Sequence, residues 1–143
     1  MSAQDNTHLV QDAYAAFGRG DIPAVLGYLT DDVEWYAAGP KELPLAGTRR
    51  GRQQVSEFFK DLNESEEILA FEPQKFIAEG DTVVALLRYR VRVKATGRIV
   101  ETDLMHVFTV RNGKVSRLRQ FYDTAAALYG REGAVRAQAT SGS

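Results

Sequence analysis

The sequence contains no cysteine. That removes disulfide bridges, thiolate nucleophiles and cysteine-held metal ions at once. Histidine is nearly as scarce, with His8 and His106 in distant parts of the chain. No carboxylate pair has ligand spacing either, so no metal site is expected. No glycine-rich loop follows a strand pattern, which argues against a nucleotide cofactor, and the serine-hydrolase elbow G-x-S-x-G is missing. No cofactor is therefore expected. No apolar run approaches the length needed to cross a membrane, and the stretch Met1 to Thr7 is polar where a signal peptide would be apolar. These features point to a cytoplasmic protein with no membrane partner. An excess of one charge is also lacking: the net charge of -1 gives no general attraction to nucleic acid or anionic lipid.

What remains is ordinary globular composition, 44% hydrophobic and 26% charged over 143 residues. That suits one domain, 1–143, with an ordered core of about 7–130 and a loose tail from Ala139 to Ser143 expected to fray. Val10, Ala13, Tyr14 and Phe17 recur at helical spacing and predict a helix from about Thr7 to Arg19, stopped by Gly18 and Gly20. Asp21 caps a second short helix with Pro23 in its first turn and Val25, Leu26 and Leu29 on its buried side, and Thr30-Asp31-Asp32 ends it. Val33 to Ala37 reads as a short strand, followed by a loop carrying Gly39, Pro40, Pro44 and Gly47. A third helix starts near Arg52 with Val55, Phe58, Phe59 and Leu62 on one side, and dissolves into the acidic stretch Asn63 to Glu67.

The rest predicts strands: Ile68 to Ala78, Thr82 to Lys94, Arg98 to Arg111 and Lys114 to Tyr122. Their separators, Gly80-Asp81, Thr96-Gly97 and Asn112-Gly113, are too short for parallel crossovers, so these neighbours are antiparallel. A final helix is expected from Thr124 to about Tyr129, interrupted by Gly130 and Gly133. Helices first and a meander afterwards is the α+β pattern, with helices on one face of a sheet.

Alternation assigns the two faces. Leu87, Tyr89, Val91 and Val93 point inward, as do Thr102, Leu104, His106 and Phe108. Keeping apolar against apolar places Tyr89 opposite Thr102, Arg90 beside Glu101 and Arg88 beside Asp103. At Asn112-Gly113 a three-residue bulged loop is expected, setting His106 opposite Leu118 with Gln120 one step diagonal. The inward set of the last strand is then Ser116, Leu118, Gln120 and Tyr122. Outward lies a basic stripe of Arg88, Arg90, Arg92, Arg117 and Arg119. Glu101 and Asp103 interrupt it, which favours an ion-paired or solvated face over a nucleic-acid surface. Met105, Val107 and Phe121 share that side and suggest a homodimer through the back of the sheet.

The stretches Tyr14-Ala-Ala-Phe-Gly-Arg-Gly-Asp21, Leu29-Thr-Asp-Asp-Val-Glu-Trp35, Gly51-Arg-Gln-Gln-Val-Ser-Glu-Phe-Phe59, Val107-Phe-Thr-Val-Arg-Asn-Gly-Lys-Val115 and Phe121-Tyr-Asp-Thr124 together resemble the nuclear-transport-factor-2-like superfamily, in its SnoaL-like and ketosteroid-isomerase-like branch. The resemblance covers roughly residues 8 to 129. It implies a cone-shaped, curved antiparallel sheet wrapped around N-terminal helices, a cystatin-like α+β barrel with a pocket at its wide end. It does not fix a reaction, because the superfamily holds isomerases, epoxide hydrolases, polyketide cyclases, dehydratases and non-catalytic binders. The base of ketosteroid isomerase corresponds to Trp35, its oxyanion-hole acid to His106 and its tyrosine donor to Ala13. The Asp-Arg-Asp set of limonene epoxide hydrolase corresponds to Leu87, Tyr89 and Gln120. Neither set of carboxylates is present, so both schemes are disfavoured.

The candidate site follows. His106 is the acid–base candidate, with Gln120 and Tyr89 positioning it. Tyr14, Trp35, Leu87, Thr102, Leu104, Leu118 and Tyr122 are expected to line a pocket for an apolar small molecule. A structural histidine, hydrogen-bonded to a backbone carbonyl or to Tyr89, is the competing reading. Asp123 reads as a helix cap, Asp31 and Asp32 as loop or cap residues, and Glu34 as outward-facing. Two functions are consistent with this set: a cofactor-independent acid–base enzyme (isomerase, cyclase, dehydratase or hydrolase), or a non-catalytic binding module.

Overall fold

A computed structural model describes the backbone of residues 2–141 and the side chains of 2–132. Helix α1 (Ala3–Gly18) starts at Ser2, whose side chain accepts from the Asp5 N–H while Asp5 reaches back to the Ser2 N–H. This reciprocal cap carries the helix four residues further toward the N-terminus than its apolar pattern shows. Helix α2 (Ile22–Gly27) is capped by Asp21, as expected. Helix α3 (Gly51–Ser65) buries Val55, Phe58, Phe59 and Leu62, the i, i+3, i+4, i+7 stripe of an amphipathic helix.

The six strands are β1 (Leu29–Ala37), β2 (Gly47–Arg50), β3 (Glu66–Glu79), β4 (Thr82–Val93), β5 (Ile99–Arg111) and β6 (Lys114–Tyr122). They form one sheet in the order β2-β1-β6-β5-β4-β3. Four of the pairings are antiparallel, and β1 pairs with β6 in parallel. The sheet is thus mixed rather than wholly antiparallel. Strand β1 enters from the helices and meets the last strand of the meander, a partner that short-range turn signals do not reveal. Strand β2 is a further addition, since its residues sit in what reads locally as loop.

The β4–β5 register is the one that parity predicts, with Tyr89 opposite Thr102, Arg88 opposite Asp103 and Arg90 opposite Glu101. The β5–β6 register is not. Arg111 pairs with Lys114 across Asn112 (φ 52°) and Gly113 (φ 78°), a two-residue turn with both central residues left-handed. Parity is recovered later, by a register shift between Thr109 and Val110 that leaves Ser116 as the extra residue and turns Val115 into the core. His106 therefore faces Gln120 directly, and Leu118 faces Phe108.

Helix α4 (Thr124–Ser141) also departs from expectation, running straight through Gly130 and Gly133. Gly130 serves packing here: a Cβ would collide with Val100 Cγ2 and lie 3.2 Å from Val93 Cγ2. The tail expected to fray, Ala139 to Ser143, instead continues the helix as far as Ser141, and Gly142 and Ser143 lie outside the described residues. Asp123 caps this helix, its Oδ1 accepting from Ala126 N at 3.0 Å.

The helices and the inner sheet face enclose a core in which Leu29, Leu87, Leu118, Val10, Val33, Val55, Val83 and Val115 are fully buried. Each contributes on the order of 1.5–3 kcal/mol. Asn6 ties α1 across it, donating from Nδ2 to the Gly80 carbonyl at 3.2 Å. On the outer face Arg88 bridges Glu101 (3.0 Å) and Asp103 (3.1 Å), Arg92 meets Glu67, and Arg117 and Arg50 share Glu34. These pairs are exposed and add little stability. They do neutralise much of the basic stripe.

Candidate functional site

A cavity of about 110 Å³ lies between the inner sheet face and the helices. At roughly 10–15 Å³ per water in this measure it has space for about eight waters, enough for a ligand of one or two rings. Its walls are mostly aromatic and aliphatic, and all ten residues assigned to the site from sequence line it except Leu87, which packs fully buried behind the surface.

His106 is a buried polar group in this wall. Strand β5 aims it inward between Leu104 and Phe108, and only 6% of it is exposed. Tyr14, one turn from the end of α1, places its hydroxyl 2.7 Å from His106 Nδ1. On the other side Gln120 Oε1 lies 2.8 Å from Nε2. With the amide oxygen facing the ring, Nε2 carries the proton and donates to Gln120, and Nδ1 accepts from the Tyr14 hydroxyl. The imidazole is neutral, its pKa lowered to about 4 by burial, with the Gln120 hydrogen bond opposing that shift. Burial likewise pushes the Tyr14 phenol far up. Phe71, Phe76 and Phe108 surround the Tyr14 ring at 5.3, 6.0 and 5.9 Å between centroids. The resemblance assigned a donor to Ala13; the hydroxyl that reaches His106 belongs to its neighbour, Tyr14.

Tyr89 is not part of this relay. Its hydroxyl donates to Glu66 Oε1 at 3.0 Å. Glu66 is a charged residue of the cavity wall that the sequence reading missed. It looks like the ragged end of an acidic helix tail, yet it opens β3 opposite Val93, on the same inward side as Ile68. Extending the alternation of β3 back from Ile68 by one inward step finds it. Desolvation raises its pKa, against the hydrogen bond from Tyr89 and the positive charge of Arg131. Arg131 on α4 lines the same end of the cavity, and its Nε is buried without a hydrogen-bond partner among the described residues. Tyr122 stands nearby, its phenol pushed up to about 12 by burial and by the Glu66 charge.

The remaining assigned residues form walls. Trp35 packs on Phe58 and Phe59 at 6.0 and 5.6 Å, beside Leu118 in the parallel β1–β6 register. Thr102 spends its hydroxyl on the backbone, donating to Asp103 O and accepting from Asp123 N, which pins the start of α4 to β5. Asp31 and Asp32 lie on β1 in ion pairs with Arg52 and Arg111, and Glu34 faces outward. Among the described residues, no three His, Asp or Glu side chains gather to hold a metal ion. No described helix is long and apolar enough to cross a membrane.

Comparison with known proteins agrees with this architecture. An NTF2-like protein of Burkholderia xenovorans LB400 has a similar structure, with a TM-score of 0.83 and 36% identity over 91% of this chain and 98% of that one. TerC, crystallised with polyporic acid, is similar at a TM-score of 0.79 and 29% identity, covering 90% of this chain and 98% of its own. An uncharacterised protein of Mycobacterium tuberculosis is 27% identical over 89% of this chain and 95% of its own length. The family model for the SnoaL-like domain matches residues 10–118. The chain belongs to the SnoaL-like domain family, within the NTF2-like superfamily.

Proposed function

We propose that this protein takes an apolar small molecule into the cavity and performs cofactor-independent acid–base chemistry on it, of the isomerase, cyclase, dehydratase or hydrolase type. The observation that carries this reading is the relay Tyr14–His106–Gln120, a proton-bearing chain in an otherwise greasy wall. A phenol bonded to a neutral imidazole works in both directions. Tyr14 accepts a proton from substrate carbon on its oxygen while its own proton passes to Nδ1. The imidazolium so formed is disfavoured by burial and returns the proton. Gln120 holds Nε2 throughout, and Trp35, Leu104 and Leu118 shape the space for the substrate. The likeness to TerC, crystallised with polyporic acid, supports an organic small molecule as ligand.

A binding module is the second reading, and one observation favours it: both nitrogens of His106 are already satisfied within the protein. Hydrogen–deuterium exchange separates the two. A bicyclic ketone with acidic α-protons, such as 2-tetralone, is incubated with the protein in deuterated buffer and followed by NMR. Catalysed exchange that disappears in His106→Gln supports the enzyme; binding without exchange leaves the module. The outward Met105, Val107 and Phe121 belong to the same proposal as the contact of a homodimer.

A further inference from the structure

The cavity has two polar ends, and only the His106 end enters the chemistry proposed above. On β5 the His106–Gln120 rung and the Tyr89–Thr102 rung lie four residues apart, about 13 Å of strand. Between them runs the rung Leu87–Leu104–Tyr122. At the far end Glu66 uses Oε1 for Tyr89, and no second partner holds its Oε2 among the described residues. Arg131 brings a buried Nε–H that also lacks a partner among them.

The chemistry of this end selects its ligand group. A carbonyl or carboxylate suits Arg131 and is repelled by Glu66. An amine suits Glu66 and is repelled by Arg131. A hydroxyl satisfies both, donating to the carboxylate and accepting from the guanidinium. At the other end the Gln120 amide nitrogen has no protein partner among the described residues, and it offers a donor to a carbonyl.

We infer that Glu66 and Arg131 form a hydroxyl-binding subsite, and that the ligand is a two-ring hydroxyaryl ketone lying along the cavity with its carbonyl at Gln120 and its hydroxyl at Glu66. The inference rests on the cavity being the ligand site, and it adds the ligand's class and direction. Tyr89 acts as a positioning residue, fixing the carboxylate through Oε1.

Trp35, the single tryptophan, lines the cavity and supplies a fluorescence signal. Three probes are titrated: 4-acetylbiphenyl, 4-acetyl-4′-hydroxybiphenyl and 4-acetyl-4′-methoxybiphenyl. In the wild-type protein the hydroxyl should tighten binding about tenfold over the unsubstituted ketone, as expected for a hydrogen bond to a charged group, and the methoxy compound should show no such gain. Glu66→Gln keeps an oxygen for Tyr89 and turns an amide toward the ligand, so the preference for hydroxyl over methoxy should collapse. Tyr89→Phe leaves the carboxylate in place without its anchor and should reduce the gain severalfold; it serves as the second variant if Glu66→Gln melts early. A hydroxyl gain that is absent in the wild type, or unchanged in Glu66→Gln, overturns the subsite while binding of 4-acetylbiphenyl keeps the cavity as the ligand site. Failure of all three probes to bind or quench overturns both.

Discussion

The Tyr14 hydroxyl and His106 Nδ1, 92 positions apart in sequence, meet at 2.7 Å in a wall of phenylalanines. Helix α1 and strand β5 are thereby joined by a hydrogen bond as well as by packing. Tyr14→Phe removes the donor and leaves a buried ring nitrogen without a partner, which costs about 1–3 kcal/mol. Urea denaturation should show this as a lower midpoint with an unchanged slope. In His106→Leu the acceptor is gone as well, so adding Tyr14→Phe to it should cost at least about 1 kcal/mol less than in the wild type. Additive costs would mean that the pair contributes nothing as a pair.

Acidification tests the neutral imidazole. Folded His106 stays uncharged down to about pH 4, against 6.5 for its ordinary value. Between those values the unfolded chain binds the extra proton and the folded one does not, so stability is full above pH 6.5 and falls toward pH 4. A displacement of this size corresponds to about 3 kcal/mol. Glu66 works in the opposite sense, because its raised pKa favours the folded state as it protonates. The measurement is therefore a difference: unfolding free energy of wild type minus His106→Gln, from pH 7 to 4. It should drop by about 3 kcal/mol. A flat difference would show that the imidazole takes up its proton as readily in the folded protein as in the unfolded chain.

The two faces of β4 and β5 were legible in the sequence because strict alternation leaves a single register that matches apolar to apolar. That placed His106, Leu104 and Thr102 inward, and it paired Tyr89 with Thr102. The Asn112-Gly113 hairpin shows where parity stops being enough. A three-residue loop and a two-residue turn followed by a bulge both restore the alternation, and they differ in whether His106 meets Leu118 or Gln120. Asn-Gly suits the two-residue turn with both central residues left-handed, so turn chemistry points to the observed hairpin where parity over the whole strand points to the longer loop. Glu66 was hidden for another reason: its neighbours on both sides are acidic or polar, so its burial is set by Tyr89, Tyr122 and Arg131, contributed by three other elements. The partner of β1 was hidden likewise, being decided by the closure of the sheet and not by any local pattern.

Gly130 tests the packing of α4 on the sheet. Alanine in a helix interior ordinarily stabilises by about 0.5–1 kcal/mol over glycine. Here the added methyl has no room between Val100 and Val93. Overpacking costs about 1–3 kcal/mol, so Gly130→Ala should lower the melting temperature despite its better helix propensity. Trimming Val100 to Ala in the same chain should recover part of the loss. A rise in melting temperature for the single variant would show that α4 does not press on β4 and β5.

The outer face presents a continuous apolar row: Leu86 opposite Met105, Met105 opposite Phe121, and the Phe121 ring 6.1 Å from Tyr36. Leu86 is 36% exposed, and the others are half-buried by their neighbours alone. A second copy placed back to back would bury this row around a two-fold axis, each Met105 near the other copy's row. Met105→Glu sets a charge at the centre of that contact and touches nothing in the cavity. Sedimentation velocity should show the wild type as a dimer and the variant as a monomer. The variant should keep its ligand-induced Trp35 quench, because the row and the cavity lie on opposite faces of the sheet. A wild type that sediments as a monomer at tens of micromolar would remove the dimer and leave the row as surface.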